Sequence, residues 1–140
     1  MTNLQASESE EQQALFEWAM WNAGRWPELN LMFHIPNEGK RSFVRGAQMR
    51  AEGLKKGVPD IFLPAPRGQW HGLFVELKRV KGSTPSIEQE QWFAQLQLAG
   101  YAVCWARGWE RAKAAIVQYL TDGSMTYRGN GRCIGNWWEV

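Results

Sequence analysis

Two spacings of apolar residues recur along the chain, and together they predict four helices and four strands. Between Ser7 and Ala23 apolar residues return every three or four positions, as on one face of a helix. The apolar run 101–106 is typical of a strand in a sheet that is covered on both faces. The predicted helices span 7–23, 42–52, 85–99 and 109–120, and the predicted strands span 31–35, 58–63, 70–79 and 101–106. This order of elements favours an α/β fold.

Two of the predicted strands carry charged residues inside apolar sequence. Asp60 lies in the second predicted strand, and Glu76 and Lys78 lie in the third. Because strand side chains alternate between faces, Glu76 and Lys78 point the same way while Val75 and Leu77 point the other way. Burial of an unpaired charge is costly, so these residues need partners. A divalent metal such as Mg²⁺, which takes oxygen ligands, is one explanation, and a structural ion pair between neighbouring strands is the other.

Basic residues surround these acids. The chain has a net charge of only +2 over 140 residues. Between Lys40 and Lys81, however, ten Lys and Arg residues stand against three acids, a net charge of +7. A basic surface around a few buried acids is typical of a site for a phosphodiester. The length indicates a single domain with a full hydrophobic core.

The cysteines and the N-terminal residues indicate in which cellular compartment the protein functions. Cys104 and Cys133 are too few for a disulfide framework and lack zinc-ligand spacing. Residues 1–11 are polar and acidic, unlike a signal peptide, and no run approaches the ~20 apolar residues that span a bilayer. We therefore expect a cytoplasmic protein that is not secreted and has no membrane partner.

Several segments together resemble the virus-type replication-repair nuclease (VRR-NUC) family. Pro59-Asp60 followed by Glu76-Leu77-Lys78 resembles the signature of the PD-(D/E)XK nuclease superfamily, to which that family belongs. The segments that carry the wider resemblance are 37–42, 52–60, 76–79, 86–89 with Trp92, and 96–100. The resemblance runs from about residue 11 to residue 120, so we expect one domain over 1–140 with a C-terminal extension at 121–140.

The resemblance implies a restriction-endonuclease-like α/β core, with a mixed central β-sheet flanked by helices. It also implies DNA cleavage that depends on Mg²⁺ or Mn²⁺. The metal ligands that it implies are the side chains of Asp60, Glu76 and Glu17 and the main-chain carbonyl of Leu77. Lys78 would position or activate the attacking water. The full catalytic set that it implies is Asp60, Glu76, Lys78, Gln89 and Glu17.

Two of these residues also have simpler explanations. Glu17 borders the apolar stripe of the first helix. The simpler explanation is that it is one more exposed acid on that helix. Ser86-x-x-Gln89 fits a capping box, which would explain Gln89 without a role in the site. Against this, Gln89 precedes Trp92 and Phe93 by three and four residues and so shares their buried face. A buried amide needs hydrogen-bond partners, which a metal site could supply.

The remaining acids and histidines near these segments are interpreted as structural. Three acids, Glu8, Glu10 and Glu11, lie in the first turn of the first helix. Acidic side chains are stabilised there by the positive end of the helix dipole. His34 lies beside the segment 37–39 and could touch substrate, but a structural histidine is the simpler interpretation.

The predicted function is hydrolysis of phosphodiester bonds in structured DNA, by an endonuclease with a Holliday-junction resolvase-like activity. The alternatives are a flap nuclease or exonuclease that requires a free end, and a catalytically dead DNA-binding module. The resemblance to small phage and bacterial family members implies a homodimer. Four tryptophans are candidates for its interface: Trp21, Trp26, Trp137 and Trp138. The predicted DNA contacts are Lys40, Arg41, Arg45, Lys55, Lys56, Arg79 and Lys81.

Overall fold

The computed structural model describes residues 5–37, 42–82 and 84–124, together with the backbone of residues 138–139. The helices are α1 (Glu8–Asn22), α2 (Phe43–Ala51), α3 (Ile87–Leu98) and α4 (Trp109–Asp122). The strands are β1 (Phe33–His34), β2 (Ile61–Leu63), β3 (Leu73–Lys78), β4 (Ala102–Arg107) and β5 (Trp138–Glu139), and a 3₁₀ turn spans Pro27–Leu31. Among the described residues, no helix is both long enough and apolar enough to cross a membrane.

The strands form one mixed sheet in the order β1-β2-β3-β4-β5. The pairs β1–β2 and β2–β3 are antiparallel, whereas β3–β4 and β4–β5 are parallel. The predicted α/β fold with a mixed central sheet flanked by helices is confirmed. Within the segment 121–140, α4 ends at Asp122 and β5 pairs with β4.

The two faces of the sheet carry different layers of the core. Leu73, Val75 and Leu77 of β3 pack with the buried faces of α1 and α4. The alternate residue Phe74 packs on the opposite face with Phe93 of α3. This alternation turns Glu76 and Lys78 toward the α3 side of the sheet, as the pattern predicts. Both are buried, with exposed fractions of 2% and 8%.

Three predicted boundaries differ from the structure. The second strand begins at Ile61, so Asp60 stands just before it, because Pro59 has no N–H for the ladder. Helix α3 begins at Ile87 after the N-cap Ser86, so Pro85 precedes the cap instead of occupying the first helical position. The predicted strand 31–35 is reduced to two residues, because the 3₁₀ turn continues to Leu31.

Candidate active site

The carboxylates of Asp60 and Glu76 both accept hydrogen bonds from backbone amides where the β2–β3 ladder stops. The last paired residues are Ile61 and Val75, so Asp60 and Glu76 occupy the next register position. There Oε2 of Glu76 accepts a hydrogen bond from the amide of Asp60 at 3.1 Å. In return, Oδ2 of Asp60 accepts one from the amide of Leu77 at 3.0 Å. The two carboxylates thus replace the missing backbone pairing and are held at the end of the ladder.

The other oxygen of Glu76 has two further partners. Its Oε1 accepts a hydrogen bond from Nε2 of Gln89 at 2.6 Å and lies 3.3 Å from Nζ of Lys78. Gln89 also completes a capping box, since its Oε1 accepts from the amide of Ser86 at 2.8 Å while its own amide donates to the Ser86 hydroxyl. The two explanations of Gln89 are therefore compatible, because its amide oxygen caps the helix and its amide nitrogen holds the acid.

Burial dominates the electrostatics of this pair. Burial and, after it, the neighbouring Asp60 carboxylate raise the pKa of Glu76 to about 8, and Lys78 opposes the shift. Burial also raises the pKa of Asp60, and the charge of Glu8 acts in the same direction. The pair therefore retains a proton near neutral pH, and a bound cation would favour its release.

Asp60 and Leu77 line a cleft of about 210 Å³ at the end of the β2–β3 ladder. Its other walls come from the first turns of α1 and from the end of β1 and the residues that follow it. Nδ1 of His34 lies 2.9 Å from the main-chain oxygen of Asp60, so this histidine fixes the backbone of a cleft residue. The remaining lining residues are Glu8, Ser9, Gln12 and Asn37.

Glu17 does not lie in this cleft. It is exposed on α1, nine residues beyond Glu8 and about 13 Å further along the helix axis. The helix acid that faces Asp60 is Glu8, whose charge acts on the Asp60 pKa. Glu8 and Gln12, which are four residues apart and share one face of α1, both line the cleft.

The donors around the cleft fit a hard divalent cation. Asp60 and Glu76 offer carboxylate oxygens, and the carbonyl of Leu77 points to the same side of β3 as its amide, which already bonds Asp60. In the described ranges, no group of three His, Cys, Asp or Glu side chains is close enough to hold a metal alone. That donor set suits Mg²⁺, which is held by one or two carboxylates with waters and substrate phosphates.

A buried acid of α1 supports the site from outside it. Glu11 is buried, and its Oε2 accepts a hydrogen bond from the amide of Trp109 at 2.7 Å. It thereby caps α4, whose N-cap residue Gly108 has no side chain to do so. The helix dipole was an incomplete explanation of Glu11, because that contact joins α1 to α4 and so fixes the helix that carries Glu8.

The loop before Asp60 is fixed on α3. Nε1 of Trp92 donates a hydrogen bond to the main-chain oxygen of Lys56 at 2.9 Å. Gly57 has φ +91°, and a Cβ there would lie 2.9 Å from the backbone carbonyl of Glu88. A glycine is therefore required both by conformation and by the close approach to α3.

Five of the predicted DNA contacts lie in the described part of the chain, and all five are exposed. Lys55, Arg79 and Lys81 are exposed, and Arg45 is exposed on α2. Lys56 is exposed and pairs with Glu88 at 3.5 Å. The residues that line the cleft include none of these five. Lys40 and Arg41 lie outside the described residues.

A family model for the VRR-NUC domain matches residues 5–110. The chain belongs to the VRR-NUC family. A VRR-NUC structure, described as a VRR-NUC domain protein, is 24% identical in sequence and superimposes with a TM-score of 0.69, over 88% of this chain and 98% of that one. This likeness shows that the fold is shared. No curated protein matches the chain.

The VRR-NUC domain is a nuclease-type domain, and the site described above lies within the matched residues. The match begins at residue 5 and so includes Glu8, whereas the resemblance seen in the sequence began near residue 11. It ends at residue 110, so most of α4 and all of β5 lie beyond it.

Proposed function

We propose that this VRR-NUC domain is a Mg²⁺- or Mn²⁺-dependent endonuclease that hydrolyses phosphodiester bonds in structured DNA. The observation that carries the proposal is the cluster of the buried Glu76 and Lys78 with the half-buried Asp60, which lines an open cleft. A structural ion pair alone would not require two carboxylates with raised pKa values next to one lysine. The intact cluster also argues against a DNA-binding module without activity.

The acidic residues would hold the metal at the end of the β2–β3 ladder. Asp60, Glu76 and the carbonyl of Leu77 would supply protein ligands, and Glu8 would take the role that the resemblance implies for Glu17. The metal, when bound, supplies a Lewis acid and lowers the pKa of water.

The neighbouring residues prepare the cluster for phosphate chemistry. Lys78 is a buried cation fixed against Glu76, and it adds positive charge where a pentacoordinate phosphorus group gains negative charge. Gln89 fixes the orientation of Glu76 from the opposite side. The exposed bases Lys55, Arg79 and Lys81 supply a surface for the phosphates that flank the cut.

The preferred substrate would be a four-way junction cut by a pair of chains. One domain with one site cuts one strand, so symmetric resolution of a junction needs two sites related by a two-fold axis. A flap nuclease or exonuclease would work as a single chain on a free end.

The deciding experiment measures cleavage of labelled linear, flap, splayed-arm and four-way-junction DNA in Mg²⁺, Mn²⁺ or EDTA. Asp60→Asn, Glu76→Gln and Lys78→Ala should each abolish cleavage while junction binding remains. Glu110→Gln, an exposed acid in the first turn of α4, is the control and should cut normally. Wild-type cleavage in EDTA, or full activity of any of the three variants, would contradict the mechanism.

A further inference from the structure

A second cleft lies between α3 and the loop that leads to Asp60. It has a volume of about 340 Å³, and among the described residues it shares none of its walls with the cleft that Asp60 lines. Its volume is near the lower end of the range for pockets that hold small organic ligands, so one planar ring system fits it. We refer to it as the Trp92 pocket, and its lining residues are Lys56, Glu88, Gln91, Trp92 and Gln95.

The indole of Trp92 supplies a fixed aromatic surface in this pocket. The ring is half-buried, and its Nε1 donates a hydrogen bond to the main-chain oxygen of Lys56 at 2.9 Å. Because the one N–H of the indole is already bound, the ring needs no polar partner from a ligand and offers its carbon atoms for contact. Stacking on such a ring is a general way in which proteins hold unpaired bases.

The charges of the pocket argue against a phosphate as its occupant. Lys56 and Glu88 form an exposed ion pair, in which Nζ and Oε1 are 3.5 Å apart. A hydrogen bond from its own backbone amide and the charge of Lys56 lower the pKa of Glu88, so this carboxylate is ionised at neutral pH. The attraction of a phosphate to Lys56 is therefore offset by its repulsion from Glu88, and the pocket favours a neutral ring.

The polar side chains around Trp92 match the edge of one class of base. Gln91 and Gln95 are four residues apart on one face of α3, and each amide offers both a donor and an acceptor. The Glu88 carboxylate offers acceptors only. Cytosine, adenine and guanine each carry an exocyclic amino group that donates to such an acceptor. Thymine carries none, and its one N–H lies between two carbonyl oxygens, which repel a carboxylate.

The Trp92 pocket lies close to the acidic cluster. Gln89, which donates to Glu76, precedes Trp92 by three residues, or about 4.5 Å along the axis of α3. Lys56 precedes Asp60 by four residues, so their backbones are at most about 14 Å apart. A strand that spans about 3.4 Å per nucleotide reaches from the cluster to the pocket within about four nucleotides.

We propose that the Trp92 pocket binds one unpaired nucleobase that carries an exocyclic amino group, stacked on the indole and hydrogen-bonded to Glu88. This inference rests on the proposed function, because it gives a base-reading contact to the DNA that the domain would cut. It makes the single-stranded part of a branched substrate the part that this pocket recognises.

The tryptophans that the sequence analysis assigned to an interface fit this role less well than Trp92. Trp21 is exposed in the last turn of α1, about 20 Å along that helix from the first turn, which lines the cleft. Trp26 packs against the core. Trp137 and the side chain of Trp138 lie outside the described residues.

The first test compares the affinities of the whole chain for labelled oligocytidylate and oligothymidylate of about ten nucleotides, by fluorescence anisotropy. The buffer contains EDTA, so that no cleavage interferes, and is mildly alkaline, so that oligocytidylate stays single-stranded. The wild-type chain should bind oligocytidylate at least about 5-fold more tightly. Glu88→Gln should bring that ratio close to one, because an amide can also donate to the carbonyl oxygens of thymine.

The ratio of the two affinities is the readout because Glu88→Gln also frees Lys56 and so strengthens binding to every DNA. That change of charge affects both oligonucleotides equally and cancels in the ratio. Glu110→Gln is the matched control, since Glu110 is likewise an exposed acid in the first turn of a helix. It should keep the wild-type ratio.

The second test separates a base contact from a general DNA surface. Trp92→Leu loses the stacking surface and should weaken binding to both oligonucleotides about 5-fold or more, with little effect on a blunt duplex of the same length. Circular dichroism establishes that this variant is folded. The combined variant Gln91→Ala and Gln95→Ala, which changes two exposed side chains, should show the same pattern without disturbing the loop.

Two results would overturn the proposal. One is equal affinity of the wild-type chain for the two oligonucleotides, and the other is a wild-type ratio that persists in Glu88→Gln. Equal losses of duplex and single-strand affinity in the variants of the second test would likewise assign the pocket to the DNA backbone instead. If the preference for oligocytidylate holds but no DNA is cut in any metal, the pocket stands and the proposed nuclease activity fails, so the two failures are distinguishable.

Discussion

The side-chain nitrogen of Gln89 donates a hydrogen bond of 2.6 Å to Oε1 of Glu76. The same side chain caps α3 through its oxygen, so the start of the helix and the orientation of the acid depend on one residue. Helix α3 thereby sets the position of a carboxylate that lies on another element.

Variants at Ser86 and Gln89 should separate these two functions. Ser86→Ala loses the cap and should cost about 1 kcal/mol of unfolding free energy with nearly normal cleavage. Gln89→Ala loses both contacts and should in addition lower cleavage about 10- to 100-fold. Urea unfolding and single-turnover cleavage measure the two effects. Equal losses of activity in both variants would show that Gln89 acts only through the helix.

The stability of the metal-free protein should fall as pH rises through the neutral range. The pKa of Glu76 is raised from 4.5 to about 8, mainly by burial, so the folded state binds this proton more tightly than the unfolded state. The stabilisation is complete below about pH 4.5 and is lost progressively as pH rises toward 8.

Urea unfolding in EDTA between pH 5.5 and 8.5 would measure this dependence. Glu76→Gln cannot ionise and should flatten the curve, which makes the variant more stable than wild type at pH 8. The control Glu110→Gln should keep the wild-type slope. If the slope persists in Glu76→Gln, the proton belongs to another group.

Glu8 and Glu17 should respond differently to the same substitution. Glu8→Gln removes a carboxylate that lines the cleft and should lower cleavage about 10-fold or more, with partial recovery in Mn²⁺. Glu17→Gln changes an exposed residue outside the cleft and should have little effect. Cleavage rates at several metal concentrations provide the comparison, and a larger loss in Glu17→Gln would return the role to that residue.

Gly57→Ala should damage the site from a distance. The substitution imposes a strained conformation at φ +91° and places a methyl group 2.9 Å from the carbonyl of Glu88. We expect a loss of about 1–3 kcal/mol of unfolding free energy and slower cleavage, because the loop that leads to Asp60 must move. Gly24→Ala is the control, since a Cβ there meets nothing within 4 Å. Thermal unfolding of the two variants measures the difference in their stability.

The part of the site that lies on strands could be predicted from the sequence. Alternation along β3 placed Glu76 and Lys78 on one side, and the structure brings them to 3.3 Å from each other. Asp60 was predicted as a site residue because an acid inside an apolar segment needs a partner. These signals are local, so a single segment of sequence contains them.

The contributions of α1 and α2 depended on contacts between distant segments. Glu8, Glu11 and Glu17 all look like surface acids on an isolated helix, and only the packing of α1 on the sheet and α4 separates them. The sequence places α2 but does not show that its residues Phe43 and Val44 are exposed.

The bond between Glu11 and Trp109 joins residues that are 98 positions apart in the chain. During synthesis, Asp60, Glu76 and Lys78 leave the ribosome well before Trp109 does. The wall of the cleft that carries Glu8 is therefore fixed late, after α4 has emerged and folded against α1. A nascent chain that stops before α4 would contain the acidic cluster but would lack the order that this bond imposes on α1.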